Sequence, residues 1–191
     1  LSSSHLTAYA IPLLITVLSV VVLSGSFNVI EVIEFQADSG VWNIFLLPMG
    51  SVLFLVVMVA EVERSPFDMP EAEAELVEGW WTEYGGMRWG LMFASEYLRT
   101  YAACLLFAHF FLGGWEAPFE DTIPLIHYIP HITWVFLKAW FIFIFFVWFR
   151  AALHRVRTDQ ILEFGWRWLL PLSLVNLAMA TDQRLRVYDG V

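Results

Sequence analysis

The sequence of 191 residues is poor in thiols and in positive charge. Its one cysteine, Cys104, excludes an internal disulfide, a zinc site built on thiolates and a self-contained iron–sulfur cluster. Ten Lys and Arg stand against nineteen Asp and Glu, which gives a net charge of −9. Because nucleic-acid binding depends on clustered basic side chains, this balance excludes a nucleic-acid-binding protein.

Charged residues of both signs are scarce, at 15%, whereas 59% of the residues are hydrophobic and 17% are aromatic. A soluble domain has about 25% charged and 45–50% apolar residues, so the composition indicates a membrane protein. Ser-His-Asp triads, phosphate-binding Gly loops and HExxH are absent. Since Pro130 disfavours a helix that would bring His127 and His131 together, we expect no metal site, and we assign no catalytic residue.

Five segments are close to the roughly 20 apolar residues that a bilayer-spanning helix needs. Pro48 is expected to kink the second segment. With no repeat and no linker long enough to separate domains, the sequence predicts one membrane domain over residues 1–191. This domain is all-α, a polytopic transmembrane helical bundle with spans near residues 6–23, 41–60, 89–115, 132–149 and 164–180.

The basic residues indicate an orientation for the bundle. Connections 25–40 and 116–131 contain no Lys or Arg, whereas connections 61–88 and 150–167 contain several Arg. By the positive-inside rule, the two basic connections face the cytoplasm or the mitochondrial matrix. Arg184 and Arg186, in the last segment of the chain, run mildly against this orientation.

The connection after the second span is strongly acidic, with eight of the nineteen acids between residues 61 and 83. Asp68 is a plausible N-cap, with Pro70 in the first turn and Glu71 at the third helical position, which predicts a short acidic surface helix ending at Gly79. The acids are Glu61, Glu63, Asp68, Glu71, Glu73, Glu75, Glu78 and Glu83.

Two interpretations of this connection remain open. In the first, it is a solvated helix whose acids favour its positive N-terminus. In the second, the carboxylates share a partly buried site, raise one another's pKa and carry protons. The absence of Lys and the flanking Phe67, Trp80 and Trp81 indicate docking against an apolar surface, which favours the second interpretation without excluding the first.

Three charged residues lie within the predicted spans. Glu96 and Arg99 are three residues apart, so they share one face of a helix, and Lys138 lies in the fourth span. Each costs roughly 2.5–3.5 kcal/mol at the bilayer centre. These charges either neutralise one another or mark a proton path. For Glu96 we favour the proton path. Lys138 is expected to pair with Glu96 or to face the membrane interface.

The run AEVERSPFDMPEAEAELVEGWWTEYGGM resembles the signature connection of the H-type (mitochondrial ND-one-type) membrane subunit of respiratory complex I, the NADH:quinone oxidoreductase. The resemblance covers essentially the whole chain but only the second half of a typical family member. Three further segments match in the expected order: Ser24-Gly25-Ser26-Phe27-Asn28, Ala94-Ser95-Glu96-Tyr97, and Arg157-Thr158-Asp159-Gln160 with Leu169-Leu170-Pro171-Leu172.

The resemblance implies the proximal membrane subunit of a proton pump, enzymatic only as part of its complex. It assigns to the quinone chamber Glu61, Arg64, Asp68, Glu71, Glu73, Glu75, Arg157 and Asp159. Glu83 and Glu96 fall on the acidic route into the membrane. With the intramembrane charges Arg99 and Lys138 they form the expected proton relay. Glu63 and Thr158 stand where Asn and an aromatic residue are usual, which bears on the quinone that binds.

The resemblance also implies the surroundings of the chain. Quinone is the substrate, this chain alone binds no cofactor, and flavin and iron–sulfur clusters belong to partner subunits. The partners are peripheral-arm quinone-site and iron–sulfur subunits, small membrane subunits, antiporter-like subunits and lipid. The location is a bacterial or archaeal plasma membrane or the mitochondrial inner membrane.

Three alternatives remain open on the sequence alone. The first is the homologous membrane subunit of a membrane-bound hydrogenase or ferredoxin-driven ion pump, which shares the fold but not necessarily the quinone. The second is a stand-alone ion transporter that needs no redox partner. The third is a lipid-embedded scaffold in which Glu96 and Arg99 merely neutralise each other.

Overall fold

The structure, a computed structural model, describes residues 2–62, 85–116, 130–152 and 163–189. Within these ranges the regular secondary structure is entirely helical, which confirms the all-α prediction. A π-helical turn, Gly165–Leu169, leads into the last helix. The helices are α1 (Ser2–Ser24), α2 (Val29–Ser39), α3 (Asn43–Leu46), α4 (Pro48–Glu61), α5 (Met87–Phe111), α6 (His131–Ala152) and α7 (Leu170–Asp189). The predicted acidic helix lies outside the described residues.

The prediction of five spans is not confirmed by the described helices. By length and composition, only His131–Phe149 of α6 is long and apolar enough to cross a membrane among them. Ala8–Ser24 and Val29–Ser39 pass the same test together, across a bend of 56°, and would make a second span if they form one. Charges within α5 and the break before α4 explain why counting apolar residues gave the larger number.

The break at Pro48 is the expected kink. Leu47 leaves the helical region with φ −123° and ψ 66°, and Pro48 then opens α4 at its first position. Proline is favoured there because its fixed φ suits a helix and its missing N–H would have no intrahelical partner. The predicted second span is therefore two helices, α3 and α4.

The first predicted span, which ends at residue 23, agrees with the end of α1 at Ser24, and Gly25 follows with φ 81°. Nη1 of Arg184, on α7, donates to the carbonyls of Val22 and Leu23 at 2.8 and 3.2 Å. These carbonyls belong to the last turn of α1, where acceptors have no intrahelical donor. A Cβ at residue 25 would fall 2.1 Å from the guanidinium, so glycine leaves room for this cap.

The helices form two associated groups. The π-helical turn and α7 run beside α1 in the same direction, with Gly165 next to Ala8, and α4 packs on both α1 and α7. The second group is α5 against α6. Aromatic rings join the groups, since the Phe54 centroid lies 5.9 Å from that of Phe107 and 5.5 Å from that of Phe111.

Candidate functional site

Four of the twelve predicted site residues lie in the described part of the chain. They are Glu61 at the end of α4, Glu96 and Arg99 in α5, and Lys138 in α6. The other eight lie outside the described residues, so their placement stays a prediction; they are Arg64, Asp68, Glu71, Glu73, Glu75, Glu83, Arg157 and Asp159.

Arg99 connects α5 to the end of α4. Its Nη2 donates to the backbone carbonyl of Glu61 at 2.5 Å. Glu61 is the last residue of α4, where carbonyls lack intrahelical donors and the helix dipole favours a positive charge. A residue expected in the chamber and one expected in the relay therefore meet where the acidic connection begins.

Glu96 lies one turn before Arg99 on α5 and is half-buried. The carbonyl of Glu96 accepts a hydrogen bond from Oγ1 of Thr100 at 3.0 Å, and Thr100 itself is buried. Because positions three apart share a helix face, Glu96 and Arg99 lie on the same side of α5, as the spacing predicted. Glu96 therefore lies on the side of α5 from which Arg99 reaches the end of α4.

The first half of α5 presents an aromatic ladder, which we define as Trp89, Phe93 and Tyr97. Trp89 and Phe93 stack with centroids 5.2 Å apart, and Phe93 and Tyr97 meet edge to face at 4.9 Å. The three side chains are 37%, 40% and 40% exposed. Leu91 and Leu98, on another face of the same half of α5, are 62% and 69% exposed, so apolar side chains are exposed on more than one face of this half.

Lys138 lies at the opposite end of α5. Its Nζ donates to the carbonyls of Leu112, Gly114 and Glu116 at 2.6, 3.0 and 2.5 Å, and stands 4.9 Å from the centroid of the Trp42 ring. An ammonium has three N–H donors, so these carbonyls use all of them.

Neither expected placement of Lys138 is correct. Its residue is only 8% exposed, so it does not face the membrane interface. Leu112, whose carbonyl binds it, lies about 24 Å along the α5 axis from Glu96, so it does not pair with Glu96 either. The energetic reason is local, because the carbonyls after α5 need donors and a buried ammonium needs acceptors.

Two amide side chains lie near Lys138 and also bind backbone groups. Together with their neighbours they form a set of residues that we call the Lys138 cluster. Nε2 of Gln36 donates to the carbonyl of His109 at 3.2 Å, and its Oε1 accepts from the backbone N–H groups of Asn43 and Gly113, both at 3.1 Å. Nδ2 of Asn43 donates to the carbonyl of Phe110 at 2.9 Å. The cluster comprises Gln36, Trp42, Asn43, Gly113, Gly114 and Lys138.

Sequence reasoning missed Gln36, which lies in the predicted connection 25–40, and Asn43, which interrupts an apolar segment. Asn43 stands near the start of the predicted span 41–60. An uncharged amide inside an apolar segment, where a polar group must find a partner, was the available signal.

The exposed apolar side chains of α5, together with one helix or up to two that are long and apolar enough to cross a membrane, are typical of a helical membrane protein. A family model described as NADH dehydrogenase matches residues 2–181. The chain therefore belongs to that family.

The chain is similar to curated proteins named as the H-type subunit of NADH-quinone oxidoreductase. The protein of Anoxybacillus flavithermus is 42% identical over 176 residues, covering 92% of this chain and 51% of that protein. The protein of Geobacillus kaustophilus is 42% identical over 178 residues, covering 93% and 51%. The protein of Bacillus thuringiensis is 41% identical over 176 residues, covering 92% and 51%. The chain thus spans about half the length of the curated relatives it matches.

Proposed function

We propose that this chain belongs to the proximal membrane subunit of a proton-pumping NADH:quinone oxidoreductase, where it forms part of the quinone chamber and of the charged relay. The observation that carries the proposal is the 2.5 Å hydrogen bond from Arg99 to the carbonyl of Glu61. This contact joins the start of the acidic connection to the intramembrane charges of α5. It places the positive charge of Arg99 at the end of α4, where the acidic connection begins, so this charge favours the ionised form of nearby acids.

Proton pumping driven by quinone reduction requires several acids that act together. Reduction of quinone to a doubly charged species, or its protonation, would shift the pKa values of nearby carboxylates. Moving one proton against 100 mV costs about 2.3 kcal/mol, and one pKa unit is worth about 1.36 kcal/mol. One isolated carboxylate cannot supply several such shifts, whereas the acids between residues 61 and 83 together can.

The chamber residues in this proposal are Glu61, Arg64, Asp68, Glu71, Glu73, Glu75, Arg157 and Asp159. The relay residues are Glu83, Glu96, Arg99 and Lys138. Within the relay, Lys138 acts as a fixed positive charge at the far end of α5, because its three N–H groups are held by carbonyls. The aromatic ladder supplies an apolar wall beside Glu96 against which a quinone can lie.

In the same proposal, residues 1–191 form one membrane domain of five spans with the acidic helix at its surface. Connections 61–88 and 150–167 face the side on which the quinone-site subunit binds. Flavin and iron–sulfur clusters belong to partner subunits, and small membrane subunits and antiporter-like subunits receive the relay. The names of the relatives, which state an NADH-quinone oxidoreductase, support this assembly over a hydrogenase.

The test replaces Glu73 or Glu96 by Gln in the intact complex. We expect NADH:quinone reductase activity coupled to pumping to fall about tenfold or more, which corresponds to about 1.4 kcal/mol in the barrier. The matched control is Glu34→Gln, since Glu34 is an exposed acid of α2, in connection 25–40 on the opposite side. Activity should be unchanged in that variant.

The outcomes separate the candidates when subunit and metal content are measured alongside activity. Unchanged turnover in both Gln variants, with every subunit present, would contradict the relay. Bound nickel without NADH activity would instead indicate the membrane subunit of a membrane-bound hydrogenase. A chain that purifies without flavin, iron or partners would contradict the whole proposal.

A further inference from the structure

The C-terminal end of α5 is completed by a side chain from α2. Gly113 follows the cap residue Leu112 with φ 69°, which is the left-handed conformation. In a helix that ends this way, the N–H of the left-handed residue commonly donates to the carbonyl four residues earlier, here that of His109. The N–H of Gly113 donates instead to Oε1 of Gln36, at 3.1 Å.

The other half of the Gln36 amide binds the second group of that usual bond. Its Nε2 donates to the carbonyl of His109 at 3.2 Å. The amide is therefore inserted between an N–H and a C=O that would otherwise bond to each other. Gln36 is 1% exposed, so the protein keeps this arrangement inside the fold.

The peptide unit between Leu112 and Gly113 links Gln36 to Lys138. A trans peptide is planar, and its C=O and N–H point in opposite directions. The N–H of this unit binds Gln36, and its C=O accepts from Nζ of Lys138 at 2.6 Å. The orientation of one plane therefore sets both contacts.

Glycine makes this plane easy to turn, because glycine adopts positive and negative φ about equally readily. Without the Gln36 amide, the N–H of Gly113 is free to form the usual bond to the carbonyl of His109. That bond would rotate the peptide and draw its carbonyl away from Lys138. The inserted amide excludes this alternative.

We infer that Gln36 is a positioning residue for Lys138, since its amide keeps the Leu112–Gly113 peptide turned so that the peptide carbonyl binds the ammonium. The carbonyls of Gly114 and Glu116, which also bind Lys138, follow in the same turn. The purpose of this placement rests on the proposed function, in which Lys138 acts in the relay as a charge at one fixed position.

The direct test is a density map of the intact assembly carrying Gln36→Met, in lipid nanodiscs. Met is similar to Gln in length but has no N–H donor and only a weak sulfur acceptor. We expect the Leu112–Gly113 peptide to rotate, with its carbonyl more than about 3.5 Å from Nζ of Lys138. A carbonyl that still binds Lys138 in this variant would overturn the inference.

Gln183→Met is the matched control, because Gln183 also caps a helix end with its amide. Its Nε2 donates to the carbonyl of Leu46, the last residue of α3, at 2.7 Å. The control removes a comparable hydrogen bond, so the peptide before Gly113 should keep its wild-type orientation. Rotation in both variants would indicate a general loosening of the bundle and would overturn the inference.

A second readout separates the positioning of Lys138 from the relay. Protons translocated per NADH oxidised are measured with the assembly in sealed liposomes. We expect this ratio to fall in Gln36→Met and to stay at the wild-type value in Gln183→Met. A rotated peptide with an unchanged ratio would contradict the place of Lys138 in the relay, whereas its positioning by Gln36 would stand.

Gln36→Glu is the second variant, and it also covers the case in which Gln36→Met does not assemble. A neutral carboxyl group has a donor and an acceptor, as the amide does, so it can bind both His109 and Gly113. The peptide orientation and the proton ratio should both stay close to wild type. A rotated peptide in this variant would overturn the inference, because the acceptor for Gly113 would still be present.

Discussion

The two ends of α5 use charged residues in opposite ways. At the Lys138 end, the ammonium and the amides of Gln36 and Asn43 are buried and bound to backbone groups. At the other end, Arg99 also binds a carbonyl, but it is exposed and lies in the half of α5 that carries the aromatic ladder. A buried charge whose N–H groups all bind the backbone therefore stabilises the fold in addition to any part it has in the relay. An exposed charge contributes much less to stability.

The largest expected effect is that of Lys138→Met, which leaves three carbonyls near the end of α5 without their donor. Unmet buried acceptors and lost charged hydrogen bonds together should cost about 3 kcal/mol. For a chain of this size, this lowers the thermal unfolding midpoint by about 6–12 °C. The midpoint is measured on the purified assembly.

The matched control for this variant is Arg186→Met. Arg186 donates to Asp182 at 3.0 Å, with both side chains mostly exposed. Exposed pairs contribute about 0–1 kcal/mol, so the midpoint should barely move. Equal shifts in the two variants would contradict the distinction between a buried and an exposed cation.

A second comparison uses glycines at the two ends of α5. Gly114 has φ 49°, and a Cβ there would lie 2.6 Å from Cδ1 of Ile33, so Gly114→Ala should destabilise by about 1–3 kcal/mol. Gly90 lies in the exposed half of α5 with nothing within 4 Å of the added Cβ. Gly90→Ala should instead stabilise by about 0.5–1 kcal/mol.

Unfolding midpoints of the two alanine variants give the signs directly. Midpoint shifts of opposite sign would show that the Gly114 end of α5 is tightly packed and that the Gly90 end is not. A destabilising effect of Gly90→Ala comparable to that of Gly114→Ala would mean that the first half of α5 is as tightly packed as the second.

The smallest expected effect on stability is that of Arg99→Met, because Arg99 is exposed and its loss should cost about 1 kcal/mol or less. Quinone reduction should nevertheless fall, since the proposed relay loses the charge at the end of α4. Arg99→Lys keeps the charge and should retain more activity. Full activity of Arg99→Met in an intact complex would show that Arg99 is not part of the relay.

Local signals in the sequence were sufficient for the helical class, for the end of α1 at Ser24 and for the break at Pro48, because each depends on residues close in the chain. The amides were not predictable in this way. Asn43 binds the carbonyl of Phe110, 67 residues away, and Gln36 binds the N–H of Gly113, 77 residues away. Residue spacing predicts contacts only between positions a few residues apart, so it could not predict these hydrogen bonds. The partners of Lys138 were predicted wrongly for the same reason.

The contact between Arg184 and the last turn of α1 has a consequence for biosynthesis. The carbonyls of Val22 and Leu23 receive their donor from a residue more than 160 positions later in the chain. During translation, at about 5–20 residues per second, α1 therefore waits roughly ten seconds or more before this cap exists. Until α7 is made, these carbonyls have no donor from Arg184, so the order of synthesis sets when the end of α1 is stabilised.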